Sequence, residues 1–331
     1  MDLKEIGFYT LSDDRIKYSS ETSDLQRAEI ILTSRCNFNC NYCAKVGGPD
    51  QPVEEVLHQL RLLAKYNLKS VRFSGGEPTL YRGLERLVLA SKALGIKNVA
   101  VSTNGYSSLD SYKKLINYGV NDFSISLDAC CAEVGDMMAG GIKGAFEKIT
   151  QNIKELSKLT YVTVGVVLTD DNIDSINDIV KFASDLGVAD IRVIPAAQKS
   201  DRINSINIDQ SILNKHPILA YRVANIKTGL PVRGIRPSNS HRCGIVLDDV
   251  AICEGQQYPC VIYARQRGKP IGPMNENFRQ DRLNWFLNTD THKDLTCRSN
   301  CLDCLILAND KFENLNSKYG KHLPVVQNGQ G

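Results

Sequence analysis

The stretch that decides the reading is Ile30-Ile31-Leu32-Thr33-Ser34-Arg35-Cys36-Asn37-Phe38-Asn39-Cys40-Asn41-Tyr42-Cys43. An apolar run feeds directly into three thiols spaced Cys-x3-Cys-x2-Cys. A strand followed by a tight cysteine loop places soft metal ligands on a rigid edge. Structural zinc takes four closed ligands, usually from Cys-x2-4-Cys pairs, and a four-iron cluster is normally held by four thiolates. Three thiolates on such a cluster leave one iron open, and an open metal position is where chemistry takes place. Half of a zinc ribbon and a chance group of buried cysteines are the plainer readings.

Working outward, six short apolar segments alternate with helical patterns. The strands are expected at 28–33, 70–74, 98–103, 122–127, 161–168 and 190–195, each rich in Val, Ile or Phe. The helices are expected at 53–66, 82–94, 109–118, 144–159 and 173–186. In the second, Leu84, Leu87 and Val88 share a face, with Leu94 close to it. Gly95, Gly119 and Gly187 stand where helices should stop. Six βα units imply an α/β fold: a parallel sheet with helices outside, curled by right-handed crossovers into a partial (β/α)6 TIM-like barrel. Sites in such folds lie at the C-terminal strand ends. There the chain carries Ser74-Gly75-Gly76-Glu77-Pro78, Ser102-Thr103-Asn104-Gly105 and Ser124-Ile125-Ser126-Leu127-Asp128. Paired glycines admit close backbone approach, though an ordinary strand-to-helix turn uses them equally. Ser124, Ser126 and Asp128 alternate onto one face, where they suit ribose hydroxyls or helix capping. Cys130 and Cys131 follow and read as loop packing, with a hydrogen-atom donor as the functional alternative.

The cysteine spacing with Tyr42 before the last thiol resembles the signature of the radical S-adenosylmethionine (SAM) enzymes. The Gly-Gly-Glu-Pro segment resembles the motif of that family whose backbone carbonyls hold the SAM ammonium. The resemblance implies a four-iron cluster on Cys36, Cys40 and Cys43, with SAM on the open iron. It places Tyr42, Ser74, Gly75, Gly76, Glu77, Pro78, Ser102, Asn104, Ser126, Asp128, Val167 and Ile194 around SAM, the last two in segments that flank the adenine.

Beyond a helical stretch at 209–226 and Gly229-Leu230-Pro231, the composition changes. Ile245-Val246-Leu247, Val250–Cys253 and Tyr258–Tyr263 read as strands around a Glu254-Gly255-Gln256-Gln257 turn. Cys243-x11-Gly255-x4-Cys260 followed by Cys297-x3-Cys301-x2-Cys304 resembles the SPASM/twitch extension of radical SAM enzymes: a small β-hairpin plus helix, rich in cysteine. That resemblance implies a second, auxiliary four-iron cluster on Cys243, Cys260, Cys301 and Cys304, with Cys297 as the substitute. A four-cysteine zinc site is the plain alternative. The division expected is a lead-in at 1–27, the barrel at 28–226, the extension at 227–310 and a polar, mobile tail at 311–331.

Eleven cysteines in 331 residues are too sparse for a disulfide scaffold and read as metal ligands in a reducing, cytoplasmic setting. No secretory signal is legible, and no apolar run reaches the roughly 20 residues that span a bilayer. Residues 227–270 hold seven Lys or Arg against three Asp or Glu, a surplus larger than the net +3 of the whole chain. It suits an anionic substrate or a solvated surface. No stacked aromatic pattern points to nucleic acid. The activity that the resemblance to radical SAM enzymes implies is reductive cleavage of SAM and hydrogen abstraction from a small-molecule or peptide substrate. The outcome expected is net oxidation or cross-linking assisted by the auxiliary cluster, with electrons from a flavodoxin or ferredoxin. The alternatives are a nucleotide-modifying enzyme similar to the GTP-cyclising enzyme of molybdenum cofactor synthesis, and a non-catalytic iron–sulfur redox or binding protein.

Overall fold

The computed structural model describes residues 19–196, 206–227, 234–235, 237 and 240–301. Six parallel strands, β1 (Arg27–Ile31), β2 (Ser70–Ser74), β3 (Asn98–Thr103), β4 (Asp122–Ser126), β5 (Tyr161–Leu168) and β6 (Asp190–Pro195), lie side by side in chain order. Between them run α1 (Val53–Ala64), α2 (Leu84–Ala93), α3 (Leu109–Tyr118), α4 (Ala132–Met138), α5 (Ala145–Leu156) and α6 (Ile176–Asp185). The six expected strands and five expected helices all form, and α4 is additional. The glycines at 95, 119 and 187 adopt positive φ at the ends of α2, α3 and α6, as a helix stop requires. Leu94 differs: it is 37% exposed while Leu84, Leu87 and Val88 are buried, because α2 ends at Ala93 and the chain turns before Leu94 can reach the core.

The two faces of this sheet have opposite chemistry. Ala28, Ile30, Val71, Phe73, Val101, Phe123, Val164 and Val193 point one way, into a continuous apolar core shared with the helices. Each buried Val, Ile or Phe among them stabilises the fold by about 1.5–3 kcal/mol. The alternate positions carry Glu29, Arg72, Ser102, Asp122, Ser124, Thr163 and Arg192. Parallel strands are normally apolar on both faces. A polar inner face therefore marks this side of the sheet for something other than apolar packing.

After β6 the helices α7 (Gln210–Leu213) and α8 (Pro217–Ile226) follow. The single helix expected over 209–226 is thus two, and Pro217 opens the second, where its missing N–H costs nothing. Gly229-Leu230-Pro231 lies outside the described residues.

The C-terminal segment joins the same sheet. Strand β7 (Asp249–Cys253) pairs in parallel with β1, Arg27 opposite Asp249 and Ile31 opposite Cys253. Strands β8 (Gln256–Tyr258) and β9 (Gly272–Pro273) continue antiparallel, giving among the described residues a nine-stranded sheet in the order β6-β5-β4-β3-β2-β1-β7-β8-β9. Glu254 and Gly255 both have positive φ, 51° and 72°, as a two-residue hairpin turn of this hand demands. Two expected strands correct to helix. Ile245-Val246-Leu247 is a 3-10 turn packed on α10 (Phe278–Asn288) through Leu283 and Phe286. The run from Tyr258 leaves the ladder at Pro259, which has no N–H to give, and becomes α9 (Val261–Arg265), with the Cys260 sulfur accepting the Tyr263 N–H at 3.4 Å. Helix α11 (Leu295–Asn300) follows, capped by Asp294. Arg279 of α10 donates to the carbonyls of Ser20, Glu21, Ser23 and Leu247, holding residues 20–23 against the extension.

Candidate active site at the C-terminal strand ends

The cysteine loop leaves β1 through a braced root. Asp50 accepts from the Thr33 hydroxyl at 2.6 Å and from the Arg35 guanidinium at 2.8 and 2.5 Å, and Arg35 also donates to the Leu80 carbonyl at 2.7 Å. Arg35 holds the Asp50 carboxyl below the usual carboxylate range. This clamp closes the loop from 33 to 50, and nothing in the sequence but Arg35 abutting Cys36 hints at it.

The paired glycines serve the same root. A Cβ on Gly76 would sit 2.2 Å from the Arg35 carbonyl oxygen and 2.7 Å from that of Ser34; on Gly75 it would sit 2.4 Å from the Thr33 oxygen. The close approach lets the Gly76 and Glu77 N–H groups donate to the Thr33 and Arg35 carbonyls at 2.7 and 2.8 Å. The Gly-Gly pair therefore sets the height of the cysteine loop over the sheet.

Glu77 turns inward. Its buried carboxylate accepts from Thr79 N–H (3.0 Å), the Thr79 hydroxyl (2.7 Å), the Thr103 hydroxyl (2.7 Å) and Asn104 N–H (2.7 Å). Burial raises its pKa against the pull of these bonds. Pro78 is buried at the start of the 3-10 turn Pro78–Leu80. Ser74 is buried and donates to Glu29 at 2.7 Å; Ser102 accepts from Arg72 at 3.1 Å. These four of the expected SAM neighbours thus have partners or packing inside the protein.

Others gather beside the thiols. The Asn104 amide donates to Asn37 at 2.8 Å and reaches the Cys36 sulfur at 3.9 Å. Cys36 and Cys43 accept from the N–H groups of Phe38 and Lys45, each at 3.4 Å. Tyr42 donates to Asp128, which also accepts from Val167 N–H at 2.6 Å. Burial raises the phenol of Tyr42 and lifts Asp128 to about 6. Ser126 is exposed at the end of β4, and Val167 and Ile194 are half-buried at the ends of β5 and β6. Burial also raises Cys36 and takes Cys40 to about 11, so metal binding here must displace protons.

A second thiol group forms in the extension. Cys243 opens the 3-10 turn, Cys260 caps α9, and Cys297 and Cys301 lie in and just after α11. The Cys297 thiol is pushed far up by burial and then by the charges of Cys243, Asp294, Cys260 and Cys301, which places it among the other three. Cys304 lies outside the described residues. Cys253 stands apart, packed with Ile31, Ala264, Val46 and Tyr258. Cys130 is half-buried and Cys131 exposed. Among the described residues no three His, Cys, Asp or Glu side chains close round a single ion; a four-iron cluster instead takes each thiolate on a separate iron. The all-thiolate donor sets fit such clusters. Of the basic surplus at 227–270, Arg242 is buried and donates to the Thr289 carbonyl, and Arg265 reaches Glu29 at 3.1 Å, so part of it is structural. No helix among the described residues is long and apolar enough to cross a membrane.

The radical SAM superfamily profile matches residues 30–183. The chain is 31% identical over 176 residues to a probable GTP 3′,8-cyclase of Sulfurisphaera tokodaii, covering 51% of this chain and 56% of that one. It is 28% identical over 231 residues to a probable GTP 3′,8-cyclase of Sulfolobus acidocaldarius, covering 63% and 72%. It thus spans little more than half the length of the first relative. Among solved structures, Streptococcus suis SuiB aligns with a TM-score of 0.57 at 16% identity, over 80% of this chain and 66% of that one. The anSMEcpe structure with bound AdoMet and Cp18Cys peptide aligns at 0.61 and 15%, over 89% and 97%. Residues 30–183 thus match the radical SAM superfamily, and the two solved structures share the fold.

Proposed function

We propose that this protein cleaves SAM reductively and removes a hydrogen atom from a small, anion-bearing substrate held on the polar inner face of the sheet. The observation that carries this is the pair Arg72 and Arg192. Arg72 bridges Asp122 at 2.9 Å and Ser102 at 3.1 Å, and Arg192 donates to Ser124 at 2.8 Å. The Arg192 Nε and the second Asp122 oxygen have no hydrogen-bond partner among the described residues. Arg192 lies deep among protein atoms yet keeps accessible surface, as expected of a side chain on the polar inner face. Burial and the Arg72 and Arg222 charges lower it to about 9, so it remains a cation near neutrality and a donor for an incoming oxyanion.

When bound, a four-iron cluster on Cys36, Cys40 and Cys43 together with SAM supplies a 5′-deoxyadenosyl radical. The chain's own part is to orient and to exclude water. Asn104 and the backbone N–H groups of Phe38 and Lys45 steady the thiolate sulfurs. Tyr42, Asp128 and Val167 hold the loop against β4 and β5. Arg72 and Arg192 hold the substrate. Two relatives named for GTP make a nucleotide the first substrate to try. The test is anaerobic 5′-deoxyadenosine formation with and without nucleoside triphosphates, in wild type and Arg192→Met. A nucleotide that stimulates turnover, with a KM raised tenfold or more in the variant, supports the reading. No response to any nucleotide removes the nucleotide assignment.

The four clustered cysteines of the extension favour a second reading, in which an auxiliary cluster accepts an electron from the substrate radical and the outcome is oxidation or peptide cross-linking. The deciding measurement is the ratio of 5′-deoxyadenosine to product in a well-folded Cys301→Ala variant from which the auxiliary cluster is demonstrably absent. A raised ratio supports electron acceptance; an unchanged one excludes it. A non-catalytic iron–sulfur protein would bind no SAM, which equilibrium binding to reconstituted protein decides. We place the division between barrel and extension near residue 226, with flanking segments at 1–27 and 311–331. The reading includes an electron donor such as a flavodoxin or ferredoxin and a cytoplasmic, reducing setting for the thiols.

A further inference from the structure

Arg282 lies on α10 and is fully buried. Its guanidinium donates through Nε to the Val246 carbonyl at 2.6 Å, through Nη1 to the Tyr258 carbonyl at 2.9 Å and the Gln257 side-chain oxygen at 3.4 Å, and through Nη2 to the carbonyls of Asp249 at 2.5 Å and Pro259 at 3.2 Å. All five N–H donors of an arginine are used, and no carboxylate is among the acceptors. The carboxylate of Asp249 is turned away to Arg27 at 2.5 Å. Two acceptors lie just after Cys243, and three just before Cys260. One planar fork therefore ties together the two chain segments that deliver two thiols of the extension.

A buried cation is costly unless a counter-charge stands near. A thiolate-ligated iron–sulfur cluster carries net negative charge, and neighbouring charge is among the factors that set its potential. We infer that Arg282 is the positioning and charge-compensating residue of the auxiliary site, holding the Cys243 and Cys260 segments in register and raising the reduction potential of the cluster they hold. This rests on the reading of the extension as an auxiliary iron–sulfur site. Burial lowers the guanidinium to about 10, and the charge of Asp249 first, then those of Cys260 and Asp248, counter the fall, so the side chain remains cationic near neutrality.

The test uses the reconstituted full chain, with reduction of each cluster followed by electron paramagnetic resonance. In Arg282→Met the auxiliary cluster should be harder to reduce by tenfold or more in its one-electron equilibrium, about 59 mV, or its iron should be lost. The Cys36 cluster, as internal control, should not move. Arg282→Lys keeps the charge but cannot span both segments, so auxiliary iron should escape to a chelator at least tenfold faster. If the Met variant does not fold, the Lys variant decides. Variants with wild-type auxiliary potential and iron release overturn the inference. A wild-type chain that holds no second cluster overturns the underlying reading as well, and shows it before any variant is made.

Discussion

The phenolic hydroxyl of Tyr42 donates to the carboxylate of Asp128, joining the cysteine loop to the end of β4 across 86 residues of chain. Asp128 is tied in turn to β5 by the Val167 N–H, and Asn172 donates to the carbonyls of Asp128 and Val167 at 3.0 and 2.9 Å. The height of the loop over the barrel is therefore referenced to two strands that come long after it.

Tyr42→Phe removes one donor from a buried carboxylate and leaves the ring in place. The expected cost is about 1–3 kcal/mol of stability, together with weaker SAM binding to the reconstituted protein. Thermal melts and equilibrium titration with SAM check this. A variant with both quantities at wild-type values would show that the bond does not hold the loop.

Gly76→Ala tests the second support. Its Cβ would meet the Arg35 and Ser34 carbonyls, which are backbone and cannot swing aside. Overpacking of this kind typically costs about 1–3 kcal/mol. Iron at the first site should fall, and 5′-deoxyadenosine formation should drop by tenfold or more. Full iron with full SAM cleavage would mean that the root of the loop can shift freely.

Cys297→Ala decides the auxiliary ligand set. The reconstituted wild type is expected to carry roughly eight irons, from two four-iron clusters. Because Cys297 lies among Cys243, Cys260 and Cys301, its loss should remove about half of that iron, the share of one cluster. Triple replacement of Cys36, Cys40 and Cys43 should remove the other half and abolish 5′-deoxyadenosine. Full iron in Cys297→Ala would return the fourth position to Cys304.

Asp190 supplies a pH dependence. It is buried at the start of β6 and accepts from the N–H groups of Ile218 and Leu219 at 3.0 and 3.4 Å, capping α8. Burial raises it from 3.8 to about 6. A carboxyl with a raised folded pKa binds its proton more tightly in the native state. Its contribution is therefore fully present below about pH 4 and lost as pH rises to about 6, amounting to about 3 kcal/mol. Denaturant melts of the metal-free chain at several pH values should show this slope, and Asp190→Asn should flatten it. An equal slope in the variant would assign the effect to other groups.

The barrel strands were legible because their signal is local. Short apolar runs rich in Val, Ile or Phe, with glycines where helices stop, are written into each segment separately, and the thiol spacing of Cys36, Cys40 and Cys43 needs no distant partner. The extension was less legible. Ile245-Val246-Leu247 and Val261-Ile262-Tyr263 have strand composition, yet the first packs as a 3-10 turn on α10 and the second winds into α9 behind the Cys260 cap. Packing and capping there override propensity.

Sequence alone determined the parallel βα order and the two groups of closely spaced thiols, since each depends on residue type and spacing. Tertiary structure alone decided that Glu77 and Ser74 face protein partners, that Cys297 joins Cys243 and Cys260, that β7 extends the barrel sheet beside β1, and that Arg282 spans the two thiol segments. Each of these is a meeting of groups far apart in the chain. Such meetings are set by strand register and by where buried polar groups find partners, and neither is encoded in any one stretch.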